Sequence, residues 1–513
     1  MRRKIFLPTT FDPLPAVCVL LVFCTAVSGF SFVTADPDLW GHLKFGAASW
    51  DAGGPVRTDP YSYTAQGHEW INHEWLSEIL FSLTYRFFGD TGLLLVKLAI
   101  GLGTVAFVVR TCTDRTWHPL VLAGVGVLAV WVMQKGFMTR PQIFSFLFFA
   151  GFWFVLHRYF LARNRLFLLP PAMVVWVNLH GGFLMGVALV TGVAGWRTLE
   201  KVGFDSRRPT RWLWITAGVC LSATLVNPYG FRLLSFLYHS LSQTRQITEW
   251  TPVSLWDATE IHLKVMAALL CFTLAAGRRR ALTWEAAAAA ALMAAAFRHQ
   301  RHMPFFAIAA APFLVFHLSG FVHKAVERFP QLKLGKSARH LVVAAVALLA
   351  AWHFTVGSAP YRHSGFRIVV DPSHYPVGAV RFLHDNRVSG DILLPFDWGE
   401  YVIWWLYPGC HVSIDGRFRT VYPESVLKDH LIHRDDAEGW LRLMAKYPAD
   451  ILLLETSDKV ALRIHDETDW VHVYADKTAM VFCRRNENNR AFLERMRNGS
   501  VIRDGSALPV FFP

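Results

Sequence analysis

Leu14–Val33 reads LPAVCVLLVFCTAVSGFSFV and is followed at once by Thr34-Ala35-Asp36-Pro37-Asp38-Leu39-Trp40. An uncharged run of this length makes a helix about 30 Å long, the thickness of a bilayer's hydrocarbon core. Arg2, Arg3 and Lys4 stand before it. Val33-Thr34-Ala35 has the small-residue pattern of a signal-peptidase site, but the length of the run favours an uncleaved signal anchor.

Further apolar runs follow. Spans are expected at 14–34, 92–111, 117–134, 141–160, 166–178, 180–196, 211–228, 261–277, 281–297, 302–318 and 339–357, about eleven in all. The pair 166–178 and 180–196 reads as a tight hairpin through Asn178 to Gly182. The alanine-rich stretch 286–296 reads as a close-packing helix face. The chain is 53% hydrophobic and only 17% charged, against about 25% charged in soluble domains. The deficit is confined to residues 1–357; residues 358–513 have an ordinary globular composition.

Segment 74–89 carries Leu76, Ile79, Leu80, Leu83 and Phe87 at helical spacing, interrupted by Glu74, Glu78 and Arg86. That is an amphipathic helix for the outer surface rather than a span. With the N-terminus inside, the inner loops then hold 21 Lys and Arg and the outer loops nine, as the positive-inside rule requires. The soluble domain falls outside the cytoplasm, on a multi-pass protein of the inner or plasma membrane. The net charge of +13 is spent in those loops, which excludes nucleic acid as the reason for it.

The soluble part reads as mixed α/β. Strands are expected at Ile392–Pro395, His411–Ile414, Ile451–Leu454, Val471–Tyr474 and Ala479–Phe482, and helices at Val377–His384 and Ala437–Lys446. It has no phosphate loop, dinucleotide fingerprint or nucleophile elbow. Cys410 and Cys483 are its only cysteines, and a disulfide between them is one option.

This topology gathers polar residues on one face. Asp36, Asp38 and His42 follow the first span; His73, Glu74 and Glu78 share the outer loop 35–91. Arg140 and Gln142 stand at the outer end of another span, Asn178 and His180 on the hairpin, and Arg298, His299, Arg301 and His302 between two later spans. Charged groups at a membrane are costly and mark sites or ion paths. Each residue has a plainer role available: Trp40, Trp70 and Trp75 as interfacial aromatics, Arg140 and Arg301 as headgroup anchors, His68 as a solvated loop residue, Asp59 before Pro60 as a turn former, and Asp36-Pro37-Asp38 as a helix cap. Convergence of both signs on one face is what those roles leave unexplained. A carboxylate with nearby cations suits base-assisted attack of a hydroxyl on a sugar held by a phosphate leaving group. Asp36 is read as the base and Asp38 as the cap. His42, His73, Glu74, Arg140, Asn178, His180, Arg298, His299, Arg301 and His302 are read as substrate- and phosphate-binding groups.

Asp36-Pro37-Asp38-Leu39-Trp40 after a first span resembles the GT-C superfamily of membrane glycosyltransferases. So does a surface helix ending Tyr85-Arg86-Phe87-Phe88-Gly89 directly before a second span. Thr139-Arg140-Pro141-Gln142, Asn178-Leu179-His180-Gly181-Gly182, Trp398-Gly399-Glu400-Tyr401 and Ile414-Asp415-Gly416-Arg417 are similar to stretches of its bacterial members. The superfamily includes protein O-mannosyltransferases, aminoarabinose transferases and oligosaccharyltransferases. The resemblance covers residues 10–357. It implies transfer of a sugar from a polyprenyl-phosphate-type lipid to a glycan, lipid or protein acceptor on the outer face. Asp36 and Asp38 match the acidic motif, which in some members binds a divalent metal. The Trp-Trp-Asp signature of oligosaccharyltransferases is absent. Two other classes compete: a transporter or flippase for a lipid-linked or anionic substrate, and a non-catalytic scaffold. A transporter would show internal repeats, and none is visible.

Overall fold

The computed structural model describes residues 12–161, 165–203, 210–241, 250–277, 283–432, 437–464, 469–502 and 511–512. Arg2, Arg3, Lys4, residues 278–280 and parts of the loops 158–165, 197–212 and 229–260, all used in the charge argument, lie outside them.

The first half is helical: α1 (Leu14–Gly29), α2 (Leu39–Asp51), α3 (Trp75–Thr113), α4 (Pro119–Met133), α5 (Gln142–Phe160), α6 (Leu169–Leu179), α7 (Phe183–Gly203), α8 (Arg211–Ala223), α9 (Phe231–Leu241), α10 (Ile261–Gly277), α11 (Trp284–Arg298), α12 (Met303–Arg328) and α13 (Lys336–Gly357). Every expected span coincides with a helix. Five helical segments, 75–113, 119–136, 142–160, 300–328 and 336–363, are long and apolar enough to cross a membrane by length and composition; 14–29, 166–179 and 261–277 are shorter apolar helices. With these helices the chain is a membrane protein.

The 39 residues of α3 are two helices in line. Gly89 breaks them with φ +63° and ψ −163°, a conformation that glycine alone adopts without strain. The amphipathic segment therefore stops where the sequence analysis ends it, and a second helix begins at Asp90. Two helices were not resolved from the sequence in this detail: α2, and α9, which falls in the loop expected over 229–260.

After α14 (Ala359–His363) and α15 (Val377–Asp385) the chain builds a five-stranded sheet. Its strands are β1 (Gly390–Leu393), β2 (Cys410–Val412), β3 (Ile451–Glu455), β4 (Trp470–Ala475) and β5 (Ala479–Arg484), with α16 (Gly399–Leu406) between β1 and β2. The order is β2-β1-β3-β5-β4. β1 runs parallel to both neighbours, and β5 antiparallel to β3 and β4. All five expected strands and both expected helices are present, α18 as Ala437–Lys446 after α17 (Glu424–Ile432). Cys410 and Cys483 sit on β2 and β5, which are separated by β1 and β3. Both are buried free thiols, so the disulfide is not formed.

The loop 35–91 is sewn to this sheet. Val412 N–H donates to Tyr61 O and Tyr63 N–H to Val412 O, both at 3.1 Å. Trp40, weighed as a membrane-interface residue, is fully buried against Tyr375, Tyr401 and Phe512. The soluble domain thus packs directly over α2.

Candidate active site

Where the loop 35–91, the neighbouring helix ends and the C-terminal domain meet, they form a cavity of about 270 Å³. Asp38, His42, His73, Glu74, Arg140, His180 and Arg301 line it, all read as site residues from the sequence. The soluble domain supplies Asp397, Glu400, Arg417 and Arg419.

Asp36 and Asp38 are not placed as the sequence suggests. Asp36 is buried, and its Oδ1 accepts from the backbone N–H of Asp38 at 3.1 Å and from Arg140 Nε at 2.6 Å. It is the local turn former, held by an arginine, and it does not line the cavity. Asp38 occupies the position before the first turn of α2 but makes no side-chain cap bond. Its carboxylate lies on the cavity wall, 3.3 Å from Arg140 Nη2. Pro37 restricts the backbone between them, and the Arg140 guanidinium ties down the Asp36 carboxylate.

His42 and Glu78 stand on facing turns of α2 and α3, with His42 Nδ1 3.3 Å from Glu78 Oε1. Asn72 Nδ2 holds the other Glu78 oxygen at 2.6 Å. Burial pulls His42 down, but the Glu78 hydrogen bond and the charges of Glu74, Glu78 and Asp38 outweigh it, and its pKa lies above the ordinary histidine value. Glu74 shows the converse. Burial pushes it up, yet His73, His180, His42 and Arg301 hold it below the usual carboxylate range. His180 Nδ1 accepts from Gly182 N–H at 3.0 Å and meets Ser145 Oγ at 2.8 Å. The neutral ring therefore carries its proton on Nε2, which faces Glu74 Oε1 at 3.5 Å.

A metal on Asp36 and Asp38, expected from the resemblance, is not what these side chains are arranged for. Both are held by the Arg140 guanidinium, which repels a cation. Among the described residues, His42, Glu74 and Glu78 are the group spaced for one, with ligand atoms within 4.8 Å of one another. One imidazole and two carboxylates, with Glu78 oriented by Asn72, suit a divalent ion such as Zn²⁺ or Mn²⁺.

Other expected residues lie elsewhere. Asn178 is a tie: its Oδ1 accepts from Trp75 Nε1 at 3.2 Å, and its Nδ2 donates to Val174 O at 2.8 Å and Val226 O at 2.9 Å. That occupies its hydrogen-bonding groups and leaves nothing for a phosphate. Arg298 is exposed at the end of α11 and does not line the cavity. His299 Nδ1 bonds Trp250 O at 2.7 Å, and the His302 ring packs beside His299; neither lines the cavity. Of the four only Arg301 does, its guanidinium 4.6 Å above the Trp250 ring.

The soluble domain's residues were not given site roles from the sequence, although two of its motifs, Trp398–Tyr401 and Ile414–Arg417, contain Glu400 and Arg417. Arg417 Nε and Nη2 bond Asp415 at 2.8 and 2.6 Å, and Nη1 bonds Asp59 at 2.6 Å. Asp59 also accepts from Tyr61 N–H at 2.9 Å, the turn role expected of it.

An apolar groove of about 350 Å³ runs between α7 and α11, from Met185 and Ala295 at the site end to Trp196 and Trp284 at the other. The expected alanine face lines it, through Ala287, Ala288, Ala291 and Ala295.

No protein-family model and no curated protein matches the sequence. Among the solved structures that match, two do so over nearly their whole length. The crystal structure of ArnT from Cupriavidus metallidurans in the apo state has a TM-score of 0.51 at 13% identity, covering 91% of this chain and 97% of the other. The same protein bound to undecaprenyl phosphate gives 0.50 at 13%, covering 93% and 98%. The chain has the GT-C fold. Identity this low carries the architecture, helical half and soluble half together, and no residue roles. In this GT-C fold the cavity lies where the two halves join.

Proposed function

We propose that the protein is a glycosyltransferase that moves a sugar from a polyprenyl-phosphate-type lipid to an acceptor hydroxyl at the outer membrane face. The observation that carries the reading is that Asp38 lines one cavity together with Arg301. The solved neighbour that binds undecaprenyl phosphate and the apolar groove beside the site support a prenyl-phosphate donor. In this mechanism Arg301 binds the donor phosphate. Asp38 takes the acceptor's hydroxyl proton as the new bond to the anomeric carbon forms and the bond to the phosphate oxygen breaks. Polyprenyl phosphate leaves, stabilised by the cations. His42, Glu74 and Glu78 would hold a divalent cation, which supplies further charge stabilisation for the phosphate when bound.

The excess of basic residues in the inner loops supports an outer placement for this face and for the soluble domain. Cysteines introduced near Glu69, near Gly89 and at the C-terminus are then labelled from outside intact cells; C-terminal labelling only after lysis overturns that orientation. The reaction itself is tested by mass spectrometry of lipid-linked sugars and surface glycans in cells lacking the protein. One polyprenyl-phosphate sugar accumulates and one glycan modification is lost. Unchanged profiles, with no binding of undecaprenyl phosphate by the purified protein, overturn the reading.

A further inference from the structure

Arg298 and Arg301 leave the end of α11 three residues apart, one exposed and one on the cavity wall. Arg301 belongs to the short 3₁₀ turn Gln300–His302. A long arginine side chain has no preferred direction of its own, and rotamer entropy scatters it unless a partner holds it. The partner here is Trp250, from the segment that precedes α10.

The Arg301 guanidinium lies 4.6 Å above the centre of the Trp250 ring, and both residues line the cavity. The indole is itself fixed to the turn that carries Arg301. His299 donates from Nδ1 to Trp250 O at 2.7 Å, and its ring meets the indole in a T-shaped contact, centroids 5.2 Å apart. Beside it, Gln300 Nε2 donates to Thr251 Oγ1 at 3.0 Å, and Val253 N–H to Phe297 O at 2.8 Å. Residues 250–253 are thereby laced to residues 297–300, and the indole becomes a floor under Arg301.

A cation–π contact holds a guanidinium by its face. The N–H groups that bind a phosphate in pairs lie along its edge. Stacking therefore aims the group without using the edge that recognises an anion. The Arg301 charge acts on Glu74 and His180, both on the same cavity wall. A tryptophan that only anchored this segment to lipid headgroups would need no cation on its face.

We propose that Trp250 is a positioning residue for the donor phosphate: it holds the Arg301 guanidinium by its face, so that the arginine meets the prenyl phosphate already oriented. This rests on the reading of Arg301 as the phosphate-binding group. It also gives His299 a role, as the latch that ties Trp250 to the turn rather than as a phosphate ligand. A side chain ordered beforehand avoids the entropy lost when a ligand must order it on binding.

The test uses the full-length protein in detergent, as wild type, Trp250→Phe, Trp250→Leu, Trp250→Met, Arg301→Ala and the Trp250→Leu/Arg301→Ala double variant. The second non-aromatic variant covers failure of the first to fold. Binding of undecaprenyl phosphate is one readout. Phenylglyoxal modification of Arg301, mapped by mass spectrometry, is the other and needs no lipid. Trp250→Phe keeps an aromatic face and stays near wild type in both. Trp250→Leu and Trp250→Met keep bulk and lose the face. Their binding weakens about 2- to 30-fold, the span of a cation–π contact at tenfold per 1.4 kcal/mol, and Arg301 is modified several-fold faster. In the Arg301→Ala background Trp250→Leu costs nothing further, because the two residues act as one unit. Equal loss in Trp250→Phe and Trp250→Leu, a further loss in the double variant, or unchanged Arg301 modification in Trp250→Leu overturns the proposal. If no form binds undecaprenyl phosphate, wild type included, the prenyl-phosphate reading fails; faster Arg301 modification in Trp250→Leu then still supports the stack, and unchanged modification overturns it.

Discussion

Replacing Arg417 by Ala removes the guanidinium that joins the soluble domain to the first outer loop. It carries three hydrogen bonds to two carboxylates, Asp415 and Asp59, which are sealed from water. The rings of Trp70, Phe45 and Tyr61 pack around it at 4.9, 5.0 and 5.1 Å. Burial opposes its charge, but Asp415 and Asp59 outweigh burial and hold its pKa well above the ordinary arginine value. Truncation leaves Asp415 with the Tyr422 hydroxyl at 2.6 Å and Asp59 with its turn amides, and no cation for either. Breaking a buried pair from one side costs about 3–5 kcal/mol. For a unit of 150–250 residues each kcal/mol lowers the unfolding midpoint by roughly 2–4 °C, so the loss is at least about 6 °C. The control is Arg232→Ala, which breaks an exposed pair with Glu69 in the same outer loop, worth about 0–1 kcal/mol. Tryptophan-fluorescence melting of the detergent-purified protein measures both, since Trp40 and Trp70 are buried beneath the soluble domain. A midpoint for Arg417→Ala within about 2 °C of Arg232→Ala would refute the claim that this pair docks the domain. The same melts across pH carry a second check. Glu400 has a folded pKa above its ordinary 4.5, so between those values the folded state keeps a proton that the unfolded chain releases. Stability then falls as pH rises through that window, and Glu400→Gln flattens the slope.

Asp38→Asn keeps the shape and removes the base, and is expected to slow transfer about 10²–10⁴-fold with the melting midpoint unchanged; near-normal turnover would move the role to Glu74 or Glu78. Asp36→Asn loses the charge that anchors Arg140, so it lowers the midpoint as well as the rate. Arg301→Ala weakens binding of undecaprenyl phosphate, measured in detergent by microscale thermophoresis, whereas Arg298→Ala leaves it unchanged; equal effects would make both arginines headgroup anchors. Calorimetric titration of Mn²⁺ or Zn²⁺ into metal-stripped protein detects one site that His42→Ala and Glu78→Gln abolish, and Asp36→Asn does not.

The helices and strands were legible in the chain because each rests on local composition. Runs such as Leu14–Val33 cannot stay in water, β-rich segments such as Ile451–Leu454 alternate with turn residues, and Gly89 marks a break that no other residue accommodates. That polar residues from separate segments gather was legible too, and seven of them line one cavity. The direction of each side chain was not. Arg298 and Arg301 are three residues apart, yet one points to the exterior and the other into the cavity. The apolar helices around them have little sidedness in sequence, because in a bundle one face meets protein and the other lipid. Asp36 and Asp38 stand two residues apart, and Arg140, 104 residues from Asp36, ties that one down while Asp38 lines the cavity. Composition and periodicity settle what a segment is. Which side chains share a cavity depends on contacts between residues hundreds of positions apart, and only the packed structure brings those into being.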